Sequence, residues 1–124
     1  MSYVNKSRRT FPAAEAIDSY RLVTLVAGEA ALCDAAESPL GVTEYAVADG
    51  DLTSVRLLNT EGTIEVMATG VVAIGGDVQT DAAGTVKADA GAGARTIIGK
   101  SLTAVADGGV IEVIPYGYGN TFAA

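Results

Sequence analysis

Two ten-residue stretches of this chain are nearly the same. Residues 41–50 read Gly-Val-Thr-Glu-Tyr-Ala-Val-Ala-Asp-Gly and residues 99–108 read Gly-Lys-Ser-Leu-Thr-Ala-Val-Ala-Asp-Gly, six of ten positions being identical at an offset of 58. The surrounding features keep the same order. Val23 precedes Gly28 and Asp34 before Leu40-Gly41, as Val78 precedes Gly84 and Asp89 before Ile98-Gly99. Each copy ends in a valine-containing run, Leu52 to Leu58 and Val110 to Ile114. A supersecondary unit used twice is the physical content of such a pattern. Two pseudo-repeats, about 20–58 and 76–116, are therefore expected to pair into one pseudo-symmetric body.

The unit reads as β-structure. Short β-branched runs are punctuated by Gly, Asp-Gly and Gly-Gly at intervals of twelve residues or less, as in a compact barrel or sandwich. Expected strands are 20–26, 40–48, 52–58, 63–68, 71–74, 77–80, 85–88, 96–105 and 110–116. Thr63 to Ala68 alternates with Ile64, Val66 and Ala68 on one face, and Glu112 points outward between Ile111 and Val113. One short helical turn is expected at Ala30 to Glu37. The fold class is all-β: a small compact β-barrel or sandwich built from two pseudo-repeats, with an extended N-terminal arm. The 124 residues suit one domain. Of the 49% apolar residues 22 are alanine, so the core is thin and oligomerisation would help it.

Residues 1–16 read as the arm, and 17–124 as the β-rich body. The arm is interrupted by Pro12, and its apolar points Tyr3, Val4 and Phe11 follow no period. Lys6, Arg8 and Arg9 give its first ten residues a charge of +3, while the chain as a whole carries −7. The acidic remainder argues against nucleic-acid binding, which needs a positive footprint. No apolar run approaches the roughly 18 residues that span a bilayer. The polar, basic start gives no sign of a signal peptide, and the lone Cys33 suits a reducing compartment.

The chemistry of an active site is hard to assemble here. The chain has no histidine and one cysteine. This removes the Ser-His and Cys-His pairs and the usual zinc and iron ligand sets. Asp49, Asp51, Asp77, Asp81, Asp89 and Asp107 mostly border glycine or alanine, where a carboxylate caps a tight turn. Asp49-Gly50-Asp51 offers oxygen ligands at i and i+2, but the rest of an EF-hand loop is missing. Gly91-Ala92-Gly93-Ala94-Arg95 is a fragment of a phosphate-cradling pattern without its Lys-Ser/Thr pair. No enzyme, cofactor or metal is expected.

The run Gly76-Asp77-Val78, Asp81-Ala82-Ala83-Gly84-Thr85-Val86-Lys87, Ile98-Gly99-Lys100-Ser101-Leu102 and Ala106-Asp107-Gly108-Gly109-Val110-Ile111-Glu112-Val113-Ile114 resembles the capsid decoration, or cement, proteins of tailed bacteriophages. The resemblance implies a β-rich, often trimeric body on the outer surface of the head, made in the host cytoplasm, with the major capsid protein as partner and no nucleic acid or membrane. It brings no catalytic residues. The arm would then bind the shell through Tyr3, Lys6, Arg8, Arg9 and Phe11, and its removal would leave the body folded. A trimeric tail or fibre component, or a bacterial surface β-module, is the competing class.

Overall fold

The computed structural model describes residues 8–34, 37–58, 62–93, 95–116 and the backbone of 121–122. Among the described residues eleven strands follow one another: β1 (Arg8–Pro12), β2 (Leu22–Val26), β3 (Glu29–Leu32), β4 (Gly41–Thr43), β5 (Leu52–Leu57), β6 (Ile64–Ala68), β7 (Asp77–Thr80), β8 (Val86–Ala88), β9 (Arg95–Ser101), β10 (Gly109–Pro115) and β11 (Thr121–Phe122). A 3-10 turn, Ala82–Gly84, lies between β7 and β8. The chain is all-β, as its turn spacing dictates.

The strands form two sheets, β1-β5-β4-β2-β3 and β10-β6-β8-β7-β9-β11. Both close. In the first, a parallel bridge between Ala13 and Ala30 joins the end of β1 to β3. In the second, β6 pairs in parallel with β8 at Ala68 and Val86, and β9 pairs with β10. Closure gives the strands of each ring a partner on both sides, and β11 is added to β9 outside the second ring.

The two barrels are one design, strand for strand. Gly41, Val42 and Thr43 pair with Leu57, Arg56 and Val55; Gly99, Lys100 and Ser101 pair with Pro115, Ile114 and Val113 in the same register. The Ile17–Val47 bridge has its counterpart in Val72–Val105. The Ala14 N–H donates to Ala30 O as Thr69 N–H donates to Val86 O, each at 2.8 Å. Tyr20 N–H donates to Thr43 O as Gly75 N–H donates to Ser101 O, again at 2.8 Å. Tyr20 holds φ +60° where Gly75 holds +82°, so the first copy tolerates at a tyrosine a left-handed backbone that the second gives to glycine.

This correspondence starts before residue 20. β1 pairs with β5 from Arg8↔Arg56 to Pro12↔Leu52, the place that β6 takes beside β10 in the second barrel. The repeats therefore run from Arg8 to Leu58 and from Thr63 to Tyr116. The segment expected as an arm is, from Arg8 onward, the first strand of the first barrel, and Ala13 and Ile17 are buried. A strand with Pro at its end and two arginines facing solvent reads as irregular in sequence, because its pairing is supplied by β5, 40 residues away. The turn expected at 30–37 also differs: Glu29–Leu32 is β3, since Ala27 and Gly28, both with positive φ, make a two-residue hairpin turn. Val71 to Ile74 contributes only the bridge at Val72.

Two apolar clusters fill the body. Ala13, Ile17, Val23, Ala30 and Val55 fill the first barrel, with Phe11, Leu32, Val47 and Leu57 packed against them. The second cluster holds Val66, Val78, Val86, Ile111 and Val113 together with Leu22, Cys33, Val42 and Leu58 from the first repeat. The barrels thus share a core rather than meeting through a linker. The 3-10 turn seals the joint: Gly84 N–H donates to Cys33 O (2.7 Å), Ala83 N–H to Asp34 Oδ1 (3.3 Å), and Arg21 Nη1 to Ala83 O (3.2 Å).

Candidate functional site: the outer faces of the two barrels

The expected contact residues fall into two groups. Tyr3 and Lys6 lie outside the described residues. Arg8, Arg9 and Phe11 sit on β1, and each already has a neighbour in the chain. Arg8 donates to Glu44, Nε to Oε1 at 2.5 Å and Nη2 to Oε2 at 3.0 Å, a bidentate fork on the outer face of β4–β5. The Arg8 hydrogen bond holds the Glu44 carboxyl below its usual range, and the carboxylate raises Arg8 in return. The Arg9 guanidinium lies 5.9 Å from the centre of the Phe11 ring, within cation–π range. Phe11 packs against the core of the first barrel. The strand that was expected to anchor on a partner spends its aromatic side chain on its own core and keeps two arginine heads at the surface.

Where the barrels meet, a cleft of about 290 Å³ opens between Tyr20, Tyr45 and Arg56 of the first and Thr63 and Glu65 of the second. Tyr45 is 74% exposed. On β6 and β10 Glu65 and Glu112 are direct cross-strand partners. Glu112 accepts the Thr63 hydroxyl at 2.6 Å, and neither carboxylate has an ion pair among the described residues. Like charges placed opposite each other cost stability.

The outer surface of the second barrel around Lys100, the cross-strand partner of Ile114, is polar. The Tyr116 hydroxyl donates to Asp77 Oδ1 at 2.6 Å, and Lys100 Nζ lies 3.7 Å from the same oxygen. The matching residues of the first barrel, Leu22, Val42 and Leu58, are buried in the shared core. One scaffold position therefore serves as an internal joint in one copy and as solvated surface in the other.

The turns explain the remaining candidates. In the Gly91–Arg95 loop, Asp89 Oδ1 accepts Gly91 N–H at 3.0 Å and Arg95 Nε at 2.6 Å. The Gly91 N–H, ahead of Arg95, holds this carboxyl below its usual range. A carboxylate of the chain itself occupies the place a phosphate would need. Asp81 accepts the Thr69 hydroxyl at 2.8 Å. No group of three or more metal-ligating side chains forms among the described residues. Burial pushes the Cys33 thiol up to about 12, with Glu37 and Asp34 adding to the shift. Its reactive thiolate is scarce at neutral pH.

Sequence reasoning did not find the exposed apolar side chains of the second barrel: Val71, Ile74, Leu102, Val110 and Ile114. The signal that marks them is comparison of the two copies position by position, which needs the register that only the fold supplies.

No family model matches the chain, and no curated protein matches it. Among solved structures it is similar to the N base of the head fiber gp8.5 of bacteriophage phi29. The TM-score is 0.73 and the identity 22%, over 87% of this chain and 92% of that one. At that identity the likeness is one of fold: a twin-barrel β-body.

Proposed function

We propose that the chain is a structural, non-catalytic protein of a tailed-phage head, a decoration protein that binds the outer surface of the assembled shell as a homotrimer and stabilises it against internal pressure. The observation that supports this reading most directly is the likeness of nearly the whole chain to the base of a head fiber. The chemistry of the surface agrees with it. The Asp89 carboxylate faces a tight turn and an arginine, that of Glu44 an arginine, and the one thiol is buried.

The mechanism is linkage. A protein that binds assembled shell and not free subunits shifts the equilibrium toward the shell. Three linked copies bind multivalently, so modest contacts per copy suffice. The major capsid protein is the partner, and no nucleic acid or membrane is involved. Arg8 and Arg9 keep their charged heads at the surface and can add ionic contacts to the shell at its rim, beside whatever residues 1–7 contribute.

The fiber-base likeness favours a second reading, in which this fold is the foot of a projecting fiber. Purified virions separate the two. Hundreds of copies of a polypeptide of 12.5 kDa on the outer head surface would support decoration. A longer polypeptide containing this sequence and projecting from the head would support the fiber foot. A few copies at the tail would overturn both.

A further inference from the structure

The two barrels provide an internal control for their own surfaces. Because the strands share one register, each outward position of the second barrel has a counterpart that the same backbone already accommodates in the first. Leu102 corresponds to Glu44, and Ile114 to Arg56, through the shared pairing of β4–β5 and β9–β10. Val71 and Ile74 correspond to Ala16 and Ser19, through the Ile17–Val47 and Val72–Val105 bridges and the matched Tyr20 and Gly75. At these four places the first copy carries small or charged residues and the second large apolar ones. Folding does not require the change, since the first copy folds without it.

The strand positions form one face, and the loop that carries the other two adjoins it. Val110, Glu112 and Ile114 alternate with the buried Ile111 and Val113, so they point outward from β10. Leu102 N–H donates to Glu112 O at 2.8 Å, which sets Leu102 beside them. The loop 70–75 runs alongside: Gly108 N–H donates to Gly70 O, and Gly75 N–H to Ser101 O. Val71 and Ile74 are 69% and 70% exposed, and Leu102, Val110 and Ile114 are 37%, 38% and 43% exposed. The Glu65–Glu112 pair borders this apolar ground.

We propose that the outer face of β9–β10, with Val71 and Ile74 beside it, is the docking surface for a protein that presents basic side chains around an apolar contact. Charge selects the occupant. Lys100, the cross-strand partner of Ile114, stands on the same face but is paired with Asp77 and donates to Gly75 O, so Glu65 and Glu112, which have no ion pair among the described residues, carry its uncompensated charge. A second copy meeting this face with the same face about a two-fold axis would set those carboxylates against each other, and a nucleic acid or an anionic lipid would be repelled. A partner's arginine or lysine would instead neutralise the pair while apolar side chains exclude water around it. In the proposed function that partner is the head shell, and the inference rests on that reading.

The test uses the chain's own first copy as donor. Leu102→Glu with Ile114→Arg installs the two residues that the same backbone carries at Glu44 and Arg56 in the first copy. Binding is measured by co-sedimentation with DNA-free expanded heads of the phage that encodes the chain. Wild-type protein should bind, and failure of wild-type binding would overturn the decoration reading itself. The double variant should keep its melting temperature and oligomeric state and bind heads at least tenfold more weakly. Leu25→Ser, which changes an exposed apolar residue on the distant β2–β3 hairpin, should bind as wild type. Glu65→Gln with Glu112→Gln should flatten the salt dependence of binding. Wild-type affinity in the Leu102→Glu/Ile114→Arg protein would overturn the proposed surface. So would an equal loss with Leu25→Ser, or dissociation of the oligomer by the double variant with binding per subunit unchanged, which would assign the face to a second copy.

Discussion

Gly41 and Gly99 show at the scale of single residues why the repeat can be read at all. A Cβ on Gly41 would collide with Arg56 O and lie 2.7 Å from Val55 Cγ1; on Gly99 it would collide with Ile114 O and lie 2.6 Å from Val113 Cγ1. Both strands cross their partner so closely that only glycine fits, and identity is enforced at the two places where geometry is tightest. Gly99→Ala and Gly41→Ala should each lower stability by about 1–3 kcal/mol or more, measured by urea unfolding. An unchanged midpoint in either would mean that the strands are not this close. Arg8 and Glu44 give a prediction of another kind. The folded-state carboxyl of Glu44 is depressed mainly by the Arg8 hydrogen bond, so its stabilisation is present above the unfolded carboxyl pKa and is lost as pH falls through the folded one. Arg8→Met should therefore be less stable than wild type at pH 7, and the gap should close on acidification below about pH 4. The effect is small because the pair is partly exposed, the side chains being 42% and 23% accessible. A gap that persists at low pH would assign the loss to packing of the arginine stem.

Among the elements, β5 and β10 were visible in sequence and β1 was not, although β1 pairs with β5 just as β6 does with β10. Residues 52–57 and 109–115 alternate in β-branched runs bounded by glycine, which is the local signature of a strand. β1 reads Arg-Arg-Thr-Phe-Pro, and between the segments that lead from β1 to β2 and from β6 to β7 the matched positions keep Ala13 with Ala68 and Val23 with Val78 but little else. A barrel fixes register and the inward face, not residue identity, so the N-terminal third of the repeat drifted out of recognition while the glycine-bound third did not. The outward face of β10 was legible as alternation, with Glu112 set between Ile111 and Val113. Its meaning was not, because a solvent-facing Ile114 is unremarkable until Arg56 is known to occupy the same place. The role of β1 also decides what truncation does. Deleting residues 1–16 removes the partner of β5, the Phe11 packing and the buried Ala13. The product should lose cooperative unfolding by circular dichroism rather than remain a folded body without an arm. Deleting residues 1–7 alone should leave the melting transition in place. A stable, cooperative 17–124 fragment would show that β1 is dispensable to the barrel.

For the whole molecule the question is whether two barrels behave as two domains. Leu22, Cys33, Val42 and Leu58 of the first repeat belong to the same cluster as Val66, Val78, Ile111 and Val113 of the second. Leu22 illustrates the consequence: it starts β2 of the first barrel, pairs with Val42, and buries its side chain completely in the shared core. Its carbonyl accepts Cys33 N–H, and Cys33 O accepts Gly84 N–H from the 3-10 turn of the second barrel. A small domain has little stability to divide, and separating the repeats would expose apolar surface on both. The chain should therefore unfold in one transition. Leu22→Ala should cost about 2–5 kcal/mol, as for a buried leucine whose cavity cannot collapse. Native-state hydrogen exchange discriminates between the two views. If the barrels are one cooperative unit, the amides of Val55 in the first and Val113 in the second should lose protection by the same amount in this variant. Loss at Val55 with Val113 unchanged would mean that each barrel opens alone and that the shared cluster couples them only weakly. Equal loss would also make Cys33 a global reporter: buried and held neutral in the joint, it should react with a thiol reagent only at the rate of that common opening.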